Sequence, residues 1–194
     1  MNESKKTHTD PRIVRTRQLI RDAFVDLLQE MDVEKISVNR IAERATINRV
    51  TFYLHYRDIP DMMDKLADEM IDGIEKALGK PKDGSVSPED AKLYMVRLLE
   101  HIADNAKWYK VVLASRKTPI FTDRMLTLLT RMVTEGIESK ASAELSRLGI
   151  QQEIAIWYSS SALIGTIVSW LRKDMPYTPK YLAEQFALIR TRKR

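Results

Sequence analysis

The sequence predicts an all-α protein of about nine helices, a three-helix N-terminal domain followed by a larger helical domain. Three observations carry this. Apolar residues recur at i, i+3, i+4 and i+7 along most of the chain, and no run reads as a strand. Only 6 Gly and 7 Pro occur in 194 residues, which disfavours a β-rich fold with many tight turns. Helix-start pairs stand at Asp10-Pro11, Ser87-Pro88, Thr118-Pro119 and Thr178-Pro179, a capping residue followed by a proline suited to the first turn.

The elements follow in order. Met1 to Asp10 is polar, charged and aperiodic, and is expected to be disordered. From Pro11 a first helix carries the apolar stripe Ile20, Ala23, Phe24, Leu27, Leu28 and Met31. The stretch Ile36–Asp58, ISVNRIAERATINRVTFYLHYRD, reads as two short helices around a tight turn at Thr46-Ile47-Asn48. In the first, Val38, Ile41, Ala42 and Ala45 share one face; the second runs from about Arg49 to Tyr56, capped by Asn48, with Phe52 and Tyr56 on its inner side. Asp58 caps a long fourth helix whose buried stripe is Met63, Leu66, Ala67, Met70, Ile74, Ala77 and Leu78. Gly79 to Gly84 is a loop. Ser87-Pro88-Glu89-Asp90 starts the next helix, which continues through Leu98, Leu99 and Ile102 to a break at Asp104-Asn105. A short helix holds Trp108, Val111 and Val112, and another starts at Thr118-Pro119. An irregular stretch ends at Gly149. An apolar helix from about Gln151 to Arg172 and a last one after Pro179 complete the chain.

A packing helix followed by a helix that presents polar and aromatic groups is the helix-turn-helix arrangement, whose second helix enters the DNA major groove. Ser37-Val38, Ile41-Ala42, Ala45, Ile47-Asn48-Arg49, Thr51-Phe52-Tyr53 and His55-Tyr56 resemble the DNA-binding segment of the TetR family of bacterial transcriptional regulators. The helix count resembles that family's plan as well. Three positions differ from the family pattern: Thr46 stands where Gly is usual in the turn, Asp32 where Gly often precedes the motif, and Ile59 where a phosphate-binding Lys is common. A β-branched Thr46 disfavours positive φ, so the turn is either built differently or strained.

The resemblance implies two domains: residues 1–57, a helix-turn-helix domain with a basic N-terminal arm, and residues 58–194, an effector-binding and dimerisation domain. It implies double-stranded DNA as partner, palindromic operators and a homodimer. By position, Arg17, Ser37, Asn39, Arg49, Val50, Thr51, Tyr53 and His55 are the DNA-binding candidates. Arg49 suits a bidentate contact to guanine; Val50 offers only apolar contact, for example to a thymine methyl. Thr51, Tyr53 and His55 match phosphate-holding positions, while for Tyr53 and His55 the competing reading is packing against the first helix. The resemblance further implies a small-molecule effector pocket, with Tyr94, His101, Trp108, Tyr109, Met125 and Trp157 as candidates; each is also a plausible core residue. Ser161, Ala162 and Gly165 form a small-residue strip suited to a dimer interface, or to a central core helix.

Composition excludes other classes. The chain lacks cysteine, so disulfides, thiolate nucleophiles and Cys-bound zinc are ruled out. His8, His55 and His101 lack metal-ligand spacing, and there is neither a Gly-rich phosphate loop nor a nucleophile elbow. No catalytic residue, metal or cofactor is expected, and not an enzyme. Net charge is +5, with Lys5, Lys6, Arg12, Arg15, Arg17 and Arg21 opening the chain and Arg190, Arg192, Lys193 and Arg194 closing it. The N-terminus has no apolar run of a secretory signal, so a cytoplasmic protein is expected. Ile154 to Leu171 is uncharged and near spanning length, but Ser159, Ser160, Ser161, Thr166 and Ser169 favour a helix enclosed by protein over a membrane span. The expected function is a DNA-binding transcriptional regulator, a repressor released by an effector. The alternative is a co-regulator of the same fold acting through protein contacts without reading DNA.

Overall fold

The computed structural model describes residues 10–79, 88–114, 117–137 and 142–191. Among them are ten α-helices: α1 (Pro11–Glu30), α2 (Val38–Arg44), α3 (Arg49–Tyr53), α4 (Ile59–Leu78), α5 (Pro88–Asp104), α6 (Ala106–Ala114), α7 (Pro119–Gly136), α8 (Ser142–Arg147), α9 (Gln152–Arg172) and α10 (Pro179–Thr191). A 3₁₀ turn, Val33–Lys35, precedes α2. The fold is all-α, as the sequence predicts. The expected disorder of Met1 to Thr9, the loop from Lys80, the Ser87 cap and the Arg192-Lys193-Arg194 cluster lie outside the described residues.

The chain forms two compact units, Met1–Leu66 and Ala67–Arg194. The division falls inside α4, beyond the position expected from the motif's end at Arg57. Met62 and Leu66 are buried, so the first turns of α4 complete the smaller unit's core.

In that unit, Asp10 Oδ1 accepts the Arg12 N–H at 2.8 Å and Pro11 opens α1. Ile20, Ala23, Phe24, Leu27 and Leu28 turn inward, with Ile41, Ala42 and Ala45 of the α2 region, and α1 packs on α2. Arg44 forks onto Glu30, both bonds at 2.8 Å, and locks the end of α1 to the end of α2. That hydrogen-bonded guanidinium holds the Glu30 carboxyl below the usual carboxylate range.

In the larger unit α9 packs against α7 and α6, and α10 against α5. Arg97 Nη1 donates to the Leu78 carbonyl at 2.7 Å, supplying a partner at the carbonyl end of α4. Arg124 pairs with Asp68 at 3.4 Å, and Arg131 with Glu75, one ion pair every seven residues along α4 and α7. Between α9 and α10, Asp174 and Met175 both adopt left-handed backbone, φ 60° and 54°. The Met175 N–H closes onto Trp170 O at 2.8 Å, and the Trp170 indole donates to Tyr177 O at 2.9 Å.

Three expectations need correction. The buried ridge of α4 is Met62, Leu66, Met70, Ile74 and Leu78 at an i+4 step, with Ala67 beside it; Met63 and Ala77 are only half-buried. The stretch read as irregular before Gly149 contains α8, which makes ten helices rather than nine. The recognition helix ends at Tyr53, a turn earlier than expected, although Tyr56 beyond it is buried.

Candidate nucleic-acid interface

The turn between α2 and α3 sets the interface. Thr46 has φ 55°, the left-handed value that glycine adopts freely. The Ile47 N–H reaches back to Ala42 O at 2.9 Å and the Thr46 N–H to Glu43 O at 3.1 Å, so the end of α2 closes as a left-handed helix cap. The usual turn is therefore kept, and Thr46 bears the strain. Asp32, at φ −77°, sits in ordinary extended backbone where glycine has no advantage.

Asn48 then starts α3, its Oδ1 accepting the Val50 N–H at 2.9 Å. Phe52 and Tyr56 are fully buried, with ring centroids 5.5 Å apart, and anchor the helix to the small core. The C-terminal side is tied down as well. Asp61 accepts the Arg57 N–H and the Lys65 ammonium, each at 2.9 Å, which holds its carboxyl below the usual range. Lys65 also donates to His55 O at 3.2 Å and lies over the Tyr56 ring, 5.6 Å from its centroid. A helix of five residues cannot hold itself in water, so these attachments fix its direction.

The opposite side of α3 is open. Arg49 and Val50 are exposed, Tyr53 is half-exposed with its ring edge-on to Phe52 at 5.6 Å, and Thr51 is partly covered. His55 is partly buried; burial and, secondarily, the nearby Arg17 guanidinium push its pKa below the ordinary imidazole value. Asn39 and Ser37 are exposed at the start of α2, where the Ser37 hydroxyl accepts the Arg40 N–H at 3.4 Å. No carboxylate occurs between Pro11 and Arg21 or between Ala45 and Arg57, stretches that carry six arginines between them. Ile59, at the position of the missing lysine, is half-buried in the first turn of α4. Leu54, which the sequence reading passed over, is 77% exposed beside Val50. Its i+4 spacing from Val50 was the available signal.

The pocket candidates do not share one environment. Trp108, Tyr109 and Met125 are core residues, with Trp108 edge-on to Phe121 at 5.3 Å. Tyr94 and His101 are half-buried on α5. The His101 ring is edge-on to Tyr109 at 5.8 Å and lies over Gly73, where a Cβ would meet it at an ordinary contact of 3.5 Å. Trp157 is 57% exposed on α9. Ser161, Ala162 and Gly165 are all exposed, on the same α9 face as Ile154, Trp157 and Tyr158; the opposite face, Ser160, Ile164, Ile167 and Leu171, is buried. Helix α9 is long and apolar enough to cross a membrane by length and composition, but its hydroxyls bond within the helix (Ser160 to Ile156 O, Thr166 to Ala162 O) and its buried face packs on α6 and α7.

Comparison with known proteins agrees with this architecture. A TetR family model, described as the transcriptional regulator C-terminal region, matches residues 89–191, just over half of the chain. The HTH-type transcriptional regulator YxbF of Bacillus subtilis (strain 168) is 24% identical over 94% of this chain, which spans only 46% of that relative's length. Among solved structures, a TetR transcriptional regulator from Streptococcus agalactiae 2603V superposes with a TM-score of 0.64 at 23% identity, covering 92% of this chain and 94% of the other. The dihydroxyacetone kinase operon activator DhaS gives 0.59 at 17% identity, covering 91% and 94%. The matched C-terminal region and the helical plan lead to one conclusion: this chain belongs to the TetR family of transcriptional regulators.

Proposed function

We propose that the protein binds double-stranded DNA as a homodimer, each head laying α3 in the major groove of one half of a palindromic operator, and that it acts as a repressor released by a small-molecule effector. The observation that carries this reading is the two-sided character of α3. Phe52 and Tyr56 are sealed in the core while Arg49, Val50 and Tyr53 stand outward within a stretch, Ala45 to Arg57, that holds no carboxylate. In this reading Arg49 supplies base recognition, and Thr51, Tyr53, His55, Arg17 and the start of α2 at Ser37 and Asn39 supply backbone contacts. Residues 1–57 carry recognition, and residues 58–194 carry effector binding and dimerisation.

Thr46 and Ile59, two of the departures from the family pattern, are the features that could favour the co-regulator alternative. Thr46 keeps the left-handed turn that positions α3, which favours the DNA reading. Dimerisation is supported by the open α9 face from Ile154 to Gly165, a helix side with apolar and small residues and no charge. Effector binding is assigned to the larger unit, where Tyr94 and His101 are the half-buried members of the candidate set. The direction of control is assigned as repression, although one protein of similar fold is an operon activator.

A gel-shift with DNA flanking the protein's own gene, at increasing salt, tests the reading. Binding through several phosphate contacts falls steeply with salt, with a slope close to the number of contacts. Absence of any shift at low salt would leave the co-regulator reading in its place.

A further inference from the structure

We infer that Val50 and Leu54 together read thymine methyl groups, so that this chain selects its DNA partly by the 5-methyl of pyrimidines and not by hydrogen bonding alone. The inference rests on the DNA-binding reading above. Val50 of α3 is 66% exposed and Leu54, the residue that closes α3, is 77% exposed, whereas Phe52 between them is fully buried. The Leu54 N–H donates to Val50 O at 3.1 Å, so the two residues stand one helical turn apart on one face. Neither side chain can donate or accept a hydrogen bond. In the major groove only thymine offers an apolar protrusion, whereas the other base edges present donors and acceptors.

The surroundings favour DNA over an apolar protein partner. The strip lies within a stretch, Ala45 to Arg57, that holds no carboxylate and exposes Arg49 beside Val50, while Arg57 at its end is paired with Asp58 at 3.4 Å; Arg17 of the start of α1 acts on His55. A polyanion complements that rim. Spacing sets which thymines are read. Four residues at 1.5 Å rise give about 6 Å along the helix, close to two base-pair steps of about 3.4 Å. The pair therefore spans methyl groups one to two steps apart when α3 lies along the groove.

The test uses the full-length protein and a random duplex pool. The pool is enriched by binding, then copied with either thymidine or deoxyuridine triphosphate. Deoxyuridine pairs as thymine does but lacks the methyl. Removing one methyl from water is worth roughly fourfold in affinity, so two in each of the two half-sites predict a deoxyuridine pool bound about 200-fold more weakly. In V50A/L54A that ratio should fall close to one; a ratio that stays as high as in the wild type overturns the inference. Equal binding of the two pools by the wild type overturns the inference and leaves the DNA-binding reading standing. Failure of any pool to enrich overturns both, and assigns the strip to a protein partner instead.

Discussion

Replacing Thr46 with glycine should stabilise the recognition head. Thr46 sits at φ 55°, where an L-residue with a Cβ costs about 1–2 kcal/mol, and a β-branched side chain is among the worst suited. Glycine removes that strain but gives the unfolded chain more freedom, which takes back about 0.4–1 kcal/mol. The Thr46 side chain is exposed, so little packing is lost. The net is a gain of about 0.5–1 kcal/mol, confined to the α2–α3 turn. Tryptophan fluorescence is the wrong probe, because Trp108, Trp157 and Trp170 all lie in the larger unit. Native-state amide exchange at Ile47 reports directly, since its N–H is held by Ala42 O across the turn. The expected result is exchange slowed by about two- to fivefold in Thr46→Gly, with a smaller effect in Thr46→Asn, which tolerates left-handed backbone better than threonine. Unchanged or faster exchange in both variants would show that the turn stores no strain.

Other consequences are as direct. Arg49→Ala should flatten the preference at one base position of a selected operator by about 1–3 kcal/mol while leaving low-salt binding nearly intact; an unchanged base preference sinks the role given to Arg49. His55 has a folded-state pKa below its ordinary value of 6.5, because burial and Arg17 oppose its charge. Its contribution to head stability is therefore complete above about pH 6.5 and is lost as pH falls through the lower folded value, so wild type should weaken more than His55→Gln between pH 7 and 5 when followed by amide exchange in α2 and α3. Gly165→Asp should sediment as a monomer. A Cβ at Gly165 meets no atom of its own chain within 4 Å, so a variant that stays dimeric moves the interface away from this face and does not merely report misfolding.

Much of the head was legible because several local signals agree. Asp10, Asn48 and Asp58 all cap where the sequence predicts, a polar residue before an apolar run. What failed was resolution within a period. Met62 and Met63 both fit a 3.6-residue repeat, and only the i+4 ridge in three dimensions chose Met62. The recognition helix was read to Tyr56 because its apolar spacing continues; the helix stops at Tyr53, and the following turn still delivers Tyr56 to the core. The exposure of Leu54 is not legible for a related reason. An apolar side chain at helical spacing predicts packing, and nothing in the sequence marks the one that stays exposed.

The same blindness governed α9. A helix apolar on nearly all sides has no stripe for periodicity to find, so the sequence left core and interface roles open for Ser161, Ala162 and Gly165. Burial separates the faces. Ser160, Ile164, Ile167 and Leu171 close the side toward α6 and α7, and the small residues fall on the side the chain leaves uncovered. Trp157 and Tyr158 extend that uncovered side toward the start of the helix. Large exposed aromatics beside a small-residue strip cost free energy in water and permit close approach by another helix, the combination expected of a surface that a second copy completes. A pocket role for Trp157 competes with that use, because the same ring cannot both face a partner helix and enclose an effector.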